Sequence, residues 1–212
     1  GRRRRRPGRR PPGCWRAWRA VLDCISEDPV DNVTTKLVFV GDMGAGKTTA
    51  IRAISDSEPV STEMPISEDV HGDKTHTTVA LDYSSIELDT GELLHVYGVP
   101  GQGYLDFMWP MVAEGAMGVV VLVSAERADR VDSTVHLLRR FGELAPQACF
   151  AVGVTRTDLT DAFALPEFRD ALLARGYRIP VLRVDARQPL QVDFLIKALL
   201  SYQYGRSLTP PA

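Results

Sequence analysis

From Lys36 onward, short unbroken apolar runs alternate with stretches in which apolar residues recur every three or four positions. The runs are strand-sized: KLVFVG at 36–41, MGVVVLVSA at 117–125, CFAVGVT at 149–155, and IPVLRVD, centred on 180–185. The helical spacing predicts helices from the turn after Gly41 to about Ser55 and over 129–144, 166–175 and 190–203. Val- and Leu-rich strands without strict alternation are apolar on both faces, as in a parallel sheet layered between helices. TVALDYSSIEL (78–88) and LLHVYGV (93–99), joined by Asp89-Thr90-Gly91-Glu92, predict a hairpin. The expected fold is therefore α/β: a six-stranded, mostly parallel sheet with one antiparallel edge strand and helices on both faces. Right-handed crossovers then bring the strand ends to a common crevice. Residues 56–77 are polar, carry two prolines and show no period, so they read as a long functional loop.

The ends differ from this body. Residues 1–13 are rich in Arg, Pro and Gly, cannot bury a core, and are expected to be disordered. Trp15, Trp18, Val21, Leu22 and Ile25 predict a short amphipathic helix within 14–27. The folded domain is placed at 35–204, with 205–212 as a flexible C-terminus. Nine of the 25 basic residues lie before position 20, so the formal charge of −2 hides a balance of −11 over residues 20–212. An acidic body argues against a nucleic-acid-binding fold and leaves any attraction to polyanions to the tail. Cys14, Cys24 and Cys149 show no metal spacing, and a sparse, odd count suits a reducing cytosol. No apolar run reaches the roughly 20 residues needed to span a bilayer, and no secretory signal is recognisable.

The strongest chemical signal is Gly41-Asp42-Met43-Gly44-Ala45-Gly46-Lys47-Thr48, which matches GxxxxGK[ST] between a Val-rich strand and a helix. Glycines let the backbone wrap phosphate oxygens and point N–H groups inward, and the helix N-terminus adds a field favourable to anions. Lys47 is expected to reach the β- and γ-phosphates, and Thr48, followed by Thr49, to place a hydroxyl on Mg²⁺.

With these features, residues 35–203 resemble the Ras-like small GTPases, most closely the bacterial branch that includes the MglA-type gliding-motility GTPases. Thr78-Val79-Ala80-Leu81-Asp82-Tyr83 fits that family's T-x-x-x-D-[FY] switch element, and the resemblance implies that Thr78 touches Mg²⁺ and the γ-phosphate; Thr75 and Thr77 are alternatives one slip away. Gly98-Val99-Pro100-Gly101-Gln102 is similar to the G-x-P-G-Q form of the second switch. It implies that the Gly101 N–H meets the γ-phosphate and that Gln102 orients the attacking water. Where most relatives carry a metal-side Asp, this chain has Gly98. Thr155-Arg156-Thr157-Asp158 partly matches the N-K-x-D base-reading box. Asp158 would accept from the two guanine donors, Arg156 would lie along the base, and Thr155 stands where relatives use an Asn amide to brace the phosphate loop. Ala186 and Arg187 fall where the family has S-A-K, implying an Ala186 N–H to guanine O6. The implied ligands are GTP/GDP and Mg²⁺, and the implied activity is hydrolysis of GTP.

No arginine lies between Arg52 and Arg127, a gap containing both switches. Transition-state charge therefore lacks a local guanidinium, and slow hydrolysis corrected by a partner is the expectation. The resemblance implies a roadblock-fold regulator. Leu105, Phe107, Met108, Trp109 and Met111 follow the switch glutamine directly, and the side of this segment turned away from the core would form a partner surface. Trp109→Ala is the expected probe of it. The protein is expected in the bacterial cytoplasm; residues 1–13 read first as an extension without function, and second, since an Arg cluster plus an amphipathic stretch matches the recipe for reversible contact with an anionic membrane, as a peripheral anchor at the inner membrane face. Two other classes remain in view: a pseudo-GTPase scaffold that holds nucleotide, and an ATP-dependent small-molecule kinase, for which no Arg-rich lid is visible.

Overall fold

A computed structural model describes residues 35–55, 58–68, 75–87, 93–101 and 107–207. The tail, the amphipathic stretch, the hairpin turn, and Gln102, Tyr104, Leu105 and Asp106 lie outside the described residues. The strands are β1 (Thr35–Gly41), β2 (Val60–Glu68), β3 (Thr75–Glu87), β4 (Leu93–Pro100), β5 (Gly118–Ser124), β6 (Cys149–Thr155) and β7 (Val181–Arg183). The helices are α1 (Lys47–Ile54), α2 (Trp109–Ala113), α3 (Arg130–Leu144), α4 (Leu165–Ala174) and α5 (Pro189–Ser207).

These strands form one sheet in the order β2-β3-β4-β1-β5-β6-β7. β4, β1, β5, β6 and β7 run parallel, and β3 is antiparallel to β4. The α/β class, the six expected strands and the single antiparallel strand are all present. The expected loop at 56–77 is corrected: its residues 60–68 form β2, paired antiparallel with β3, which itself begins at Thr75. Val60, Thr62, Met64 and Ile66 do alternate with Ser61, Glu63, Pro65 and Ser67, but Pro65 within so short a run argues against a strand, and a proline that cannot donate to the ladder is tolerated only at an edge such as this one. β2 also makes the antiparallel strand second from the edge. The last helix continues to Ser207, beyond the boundary expected at 204.

Two cores flank the sheet because the pleat sends alternate residues to opposite faces. On β1, Leu37 and Phe39 join a cluster with Ile51 and Ile54 of α1 and Leu195 and Leu199 of α5. Val38 and Val40 face the other way, toward Trp109, Leu137 and Phe141 of α2 and α3 and Leu172 of α4. On α5 the buried set Val192, Leu195, Ile196, Leu199 and Leu200 follows the i, i+3, i+4, i+7, i+8 stripe of a helix docked on one side. Because β4, β1, β5, β6 and β7 are parallel, the chain segments after Gly41, Pro100, Ser124, Thr155 and Arg183 all emerge at one edge.

Candidate functional site

The phosphate loop leaves β1 at a point where nothing larger than glycine fits. A side chain at Gly41 would start 2.2 Å from the Leu122 carbonyl oxygen on β5. Gly44 and Gly46 take φ of 76° and 93°, a left-handed backbone that costs glycine little. Gly46 is also crowded: a Cβ there would lie 3.1 Å from the Ala186 Cβ. Gly46 caps α1, so the free N–H groups of the first helical turn open at the loop. Ala45 is buried beneath the loop, while Thr48 and Thr49 are exposed in the first turn of α1.

Lys47 Nζ donates to the carbonyls of Gly41 (2.7 Å) and Asp42 (2.9 Å), so the ammonium lies across the loop that the motif implies it serves. Burial pushes its pKa down from 10.5 to about 8, against the opposing pull of Asp42 and Asp82. The same Gly41 carbonyl accepts from the Gly101 N–H at 2.8 Å, which ties the chain just after β4 to the phosphate loop.

A residue that the family pattern left without a role completes this corner. Thr48 Oγ1 donates to Asp82 Oδ2, and Asp82 is buried on β3 directly opposite Gly98 of β4. A Cβ at position 98 would sit 2.6 Å from Ile51 Cδ1 and 3.1 Å from Asp82 Cβ. The space that a β4 side chain would need is therefore filled by Ile51 and by a carboxylate from the neighbouring strand. The signal was present in the hairpin: the register that pairs Glu87 with Leu93 also pairs Asp82 with Gly98. A hydroxyl and a carboxylate are hard oxygen donors, so Thr48 and Asp82 fit Mg²⁺, which keeps most of its shell as water and phosphate oxygen. Among the described residues no cluster of three His, Cys, Asp or Glu offers a richer metal cage. Thr78 lies in β3, paired with Pro65 of β2.

Thr155, at the end of β6, is buried and donates from Oγ1 to the Ala45 carbonyl (3.0 Å) and the Val123 carbonyl (3.3 Å). Its hydroxyl thus ties the end of β6 to the phosphate loop and to β5. Arg156 adopts φ 55° and its guanidinium passes the phosphate loop, 3.8 Å from where a Gly44 Cβ would stand; Glu126 holds it at 3.3 Å. Asp158 and Asp185 come from two different loops and are bridged by one cation. Arg187 Nη2 lies 3.2 Å from Asp158 Oδ2, and Nε and Nη2 reach Asp185 at 2.8 and 2.9 Å. Hydrogen bonds from Arg187 hold the Asp185 carboxyl below its ordinary range. Ala186 is buried against Gly46. The structure so brings together Lys47, Thr48, Gly101, Thr155, Arg156, Asp158, Ala186 and Arg187 around one loop, and adds Asp82.

The expected partner surface needs correction at Trp109. Its side chain is fully buried, packs on Phe141 (5.2 Å between ring centres) and His136 (6.2 Å), and donates from Nε1 to the Pro100 carbonyl at 3.1 Å. Met108 is buried as well. Trp109→Ala would therefore report on the core rather than on an interface. Phe107 and Met111 are the exposed members, at 55% and 59%. Among the described residues no helix is long and apolar enough to cross a membrane.

Comparison with known proteins gives two findings. The family model described as a conserved hypothetical ATP binding protein matches residues 39–176, from within β1 to just past α4. The chain is also similar to the mutual gliding-motility protein MglA of Myxococcus xanthus strain DK1622, with 27% identity over 181 residues, covering 79% of this chain and 89% of that protein.

Proposed function

We propose, starting from the fact that the chain belongs to the conserved hypothetical ATP binding protein family, that it is a GTP-binding switch of the Ras-like kind with slow intrinsic hydrolysis. Nucleotide binding is the common ground of the family description and the P-loop geometry. The step from nucleotide to guanine rests on one observation: Arg187 holds the Asp158 carboxylate, and its neighbour Ala186 packs on Gly46 of a phosphate loop braced by Thr155. An acceptor-only carboxylate pairs with the N1–H and N2–H₂ of guanine and has no such pair in adenine.

In this reading Lys47 and the loop amides bind the β- and γ-phosphates, while Thr48 and Asp82 hold Mg²⁺ on their oxygen side. Mg²⁺ bound there would supply positive charge to the phosphate oxygens. Gly101 exchanges its bond to the Gly41 carbonyl for one to the γ-phosphate, and Gln102 orients the water that attacks it. The phosphorus–oxygen bond to the β-phosphate breaks, leaving GDP and inorganic phosphate. Thr78 is the first-switch contact.

The family description favours a second reading, an adenine nucleotide in the same cradle. Side-by-side titration of labelled GDP and ADP separates the two. We expect a guanine preference of at least tenfold that falls toward unity in Asp158→Ala, because unpaired guanine donors cost about 1–3 kcal/mol. Equal affinities in the unaltered chain would sink the guanine assignment.

A roadblock-fold protein is proposed as the regulator, docking over Phe107 and Met111, which face solvent beside the second switch. Single-turnover hydrolysis is expected to be slow alone and to rise with that partner. The rise should be lost in Phe107→Ser/Met111→Ser and in Gln102→Ala, nucleotide binding being kept. A fast rate without a partner, or one indifferent to Gln102, would contradict this. No hydrolysis under any condition would favour the pseudo-GTPase scaffold. Peripheral membrane contact through the N-terminal arginines is proposed too, and equal liposome sedimentation with and without residues 1–25 would remove it.

A further inference from the structure

Asp42, the second residue of the phosphate loop, introduces a carboxylate into a loop built to hold anions. Its Oδ2 accepts a hydrogen bond from Ser133 Oγ on α3 and lies 3.4 Å from Arg127 Nε. Arg127 follows the end of β5 by three residues. Asp129 fixes it from the other side, accepting from Nε at 2.9 Å and from Nη2 at 2.5 Å. The Asp42 carbonyl meanwhile accepts from Lys47 Nζ. One residue thus offers its carbonyl to the ammonium of the phosphate site and its carboxylate to a guanidinium and a hydroxyl on the α3 side.

The sequence motif allows any residue at this position, so an acid there calls for a physical account. Asp42 belongs to the loop itself, so its charge acts on a bound phosphate over a range comparable to the Debye length, about 8 Å at physiological ionic strength, where salt screens it only in part. Uncompensated, it would repel the phosphate chain, and most strongly the more highly charged triphosphate.

We propose that Arg127 is a positioning residue for nucleotide binding: together with Ser133 it neutralises the Asp42 carboxylate and holds it on the α3 side of the loop. Asp129 keeps the guanidinium aimed at Asp42. The inference rests on the reading that this loop binds a nucleoside polyphosphate, and it adds a determinant of tri- over diphosphate affinity that the P-loop motif does not contain.

The test is a titration of fluorescent GTP and GDP analogues against the full chain and three variants: Arg127→Gln, Arg127→Lys, and Arg127→Gln in an Asp42→Asn background. For a repulsion of one charge at this range we expect Arg127→Gln to weaken GTP about tenfold and GDP about threefold, more at low salt than at high. Arg127→Lys should lose less than Arg127→Gln. In the Asp42→Asn background the Arg127→Gln change should cost less than about twofold for either nucleotide, since a double-mutant cycle isolates the coupling. A purely structural role would weaken both nucleotides equally, ignore salt, and persist without the Asp42 charge; any of those results overturns the proposal. Should Arg127→Gln fail to fold, the Arg127→Lys comparison in the presence and absence of the Asp42 charge decides instead. If the unaltered chain binds neither guanine nor adenine nucleotide, the functional reading fails and takes this inference with it. Normal binding with no effect of Arg127→Gln overturns the inference alone.

Discussion

Lys47→Ala is expected to weaken nucleotide binding roughly 150-fold while leaving the fold intact. The ammonium already lies across the loop on two carbonyls, at 2.7 and 2.9 Å, so it needs little reorganisation to meet phosphate oxygens. Losing charge-assisted bonds to two phosphates costs about 3 kcal/mol, and each 1.36 kcal/mol is tenfold. Stability should not fall with it, because burial already disfavours this charge and holds the amine at about 8 rather than 10.5. The sign follows by linkage: between those two values the unfolded chain binds more protons than the folded one. The ligand-free protein therefore gains stability as pH rises from about 8 to 10.5. Binding runs the other way. Phosphate prefers the ammonium, so above pH 8 each binding event takes up a proton, and affinity should fall by up to about tenfold per unit. Isothermal titration at pH 7, 8 and 9 in buffers of different ionisation enthalpy would detect that proton. A pH-independent affinity, or an unchanged one in Lys47→Ala, would show that the ammonium does not serve the ligand.

Trp109→Ala should lower unfolding free energy by about 4 kcal/mol, the range for removing a fully buried indole. The ring fills the space between α2, α3 and the end of β4, and its Nε1 is the donor to the Pro100 carbonyl. Truncation opens a cavity and also leaves that carbonyl without its indole partner, the residue just before Gly101. Trp109→Phe should restore most of the packing but not the hydrogen bond, and so fall between. Urea unfolding followed by far-UV circular dichroism measures both. A loss below 1 kcal/mol in Trp109→Ala would mean that the pocket collapses or that the indole is not the pin between α2 and the end of β4. Domain stabilities run to about 5–15 kcal/mol, so this one change removes a large fraction and makes the variant a poor reporter of partner binding.

β1, β5 and β6 were legible because a strand covered on both faces must be apolar throughout, and their runs have no competing interpretation. The hairpin was legible because its two strands flank a turn of turn-forming residues. β2 was not: its alternation of Val60, Thr62, Met64 and Ile66 with polar residues is short and carries Pro65, which only an edge strand tolerates, so Val60–Glu68 read as loop. In the site, Lys47 and Thr48 followed from the motif spacing, since the phosphate loop is a local structure of eight residues. Trp109 shows the limit of composition. Its size and aromaticity suit an interface or a core equally, and only its neighbours Phe141 and His136 decide.

Three decisions belonged to the tertiary structure. Asp82 faces Gly98 because two strands pair in one register; the switch-element match contained the residue, but only this pairing and the bond from Thr48 give its carboxylate a place in the site. Arg187 joins Asp158 to Asp185 because β6 and β7 end side by side. Arg127 and Ser133 converge on Asp42 from 85 and 91 residues away because β5 and α3 pack against the end of β1. By itself the sequence determined the layered α/β class, the anion-binding turn and the residues on it, all of which depend on spacings of eight residues or fewer. The charge balance around that turn depends on which strand ends lie together, and only the packed sheet sets that.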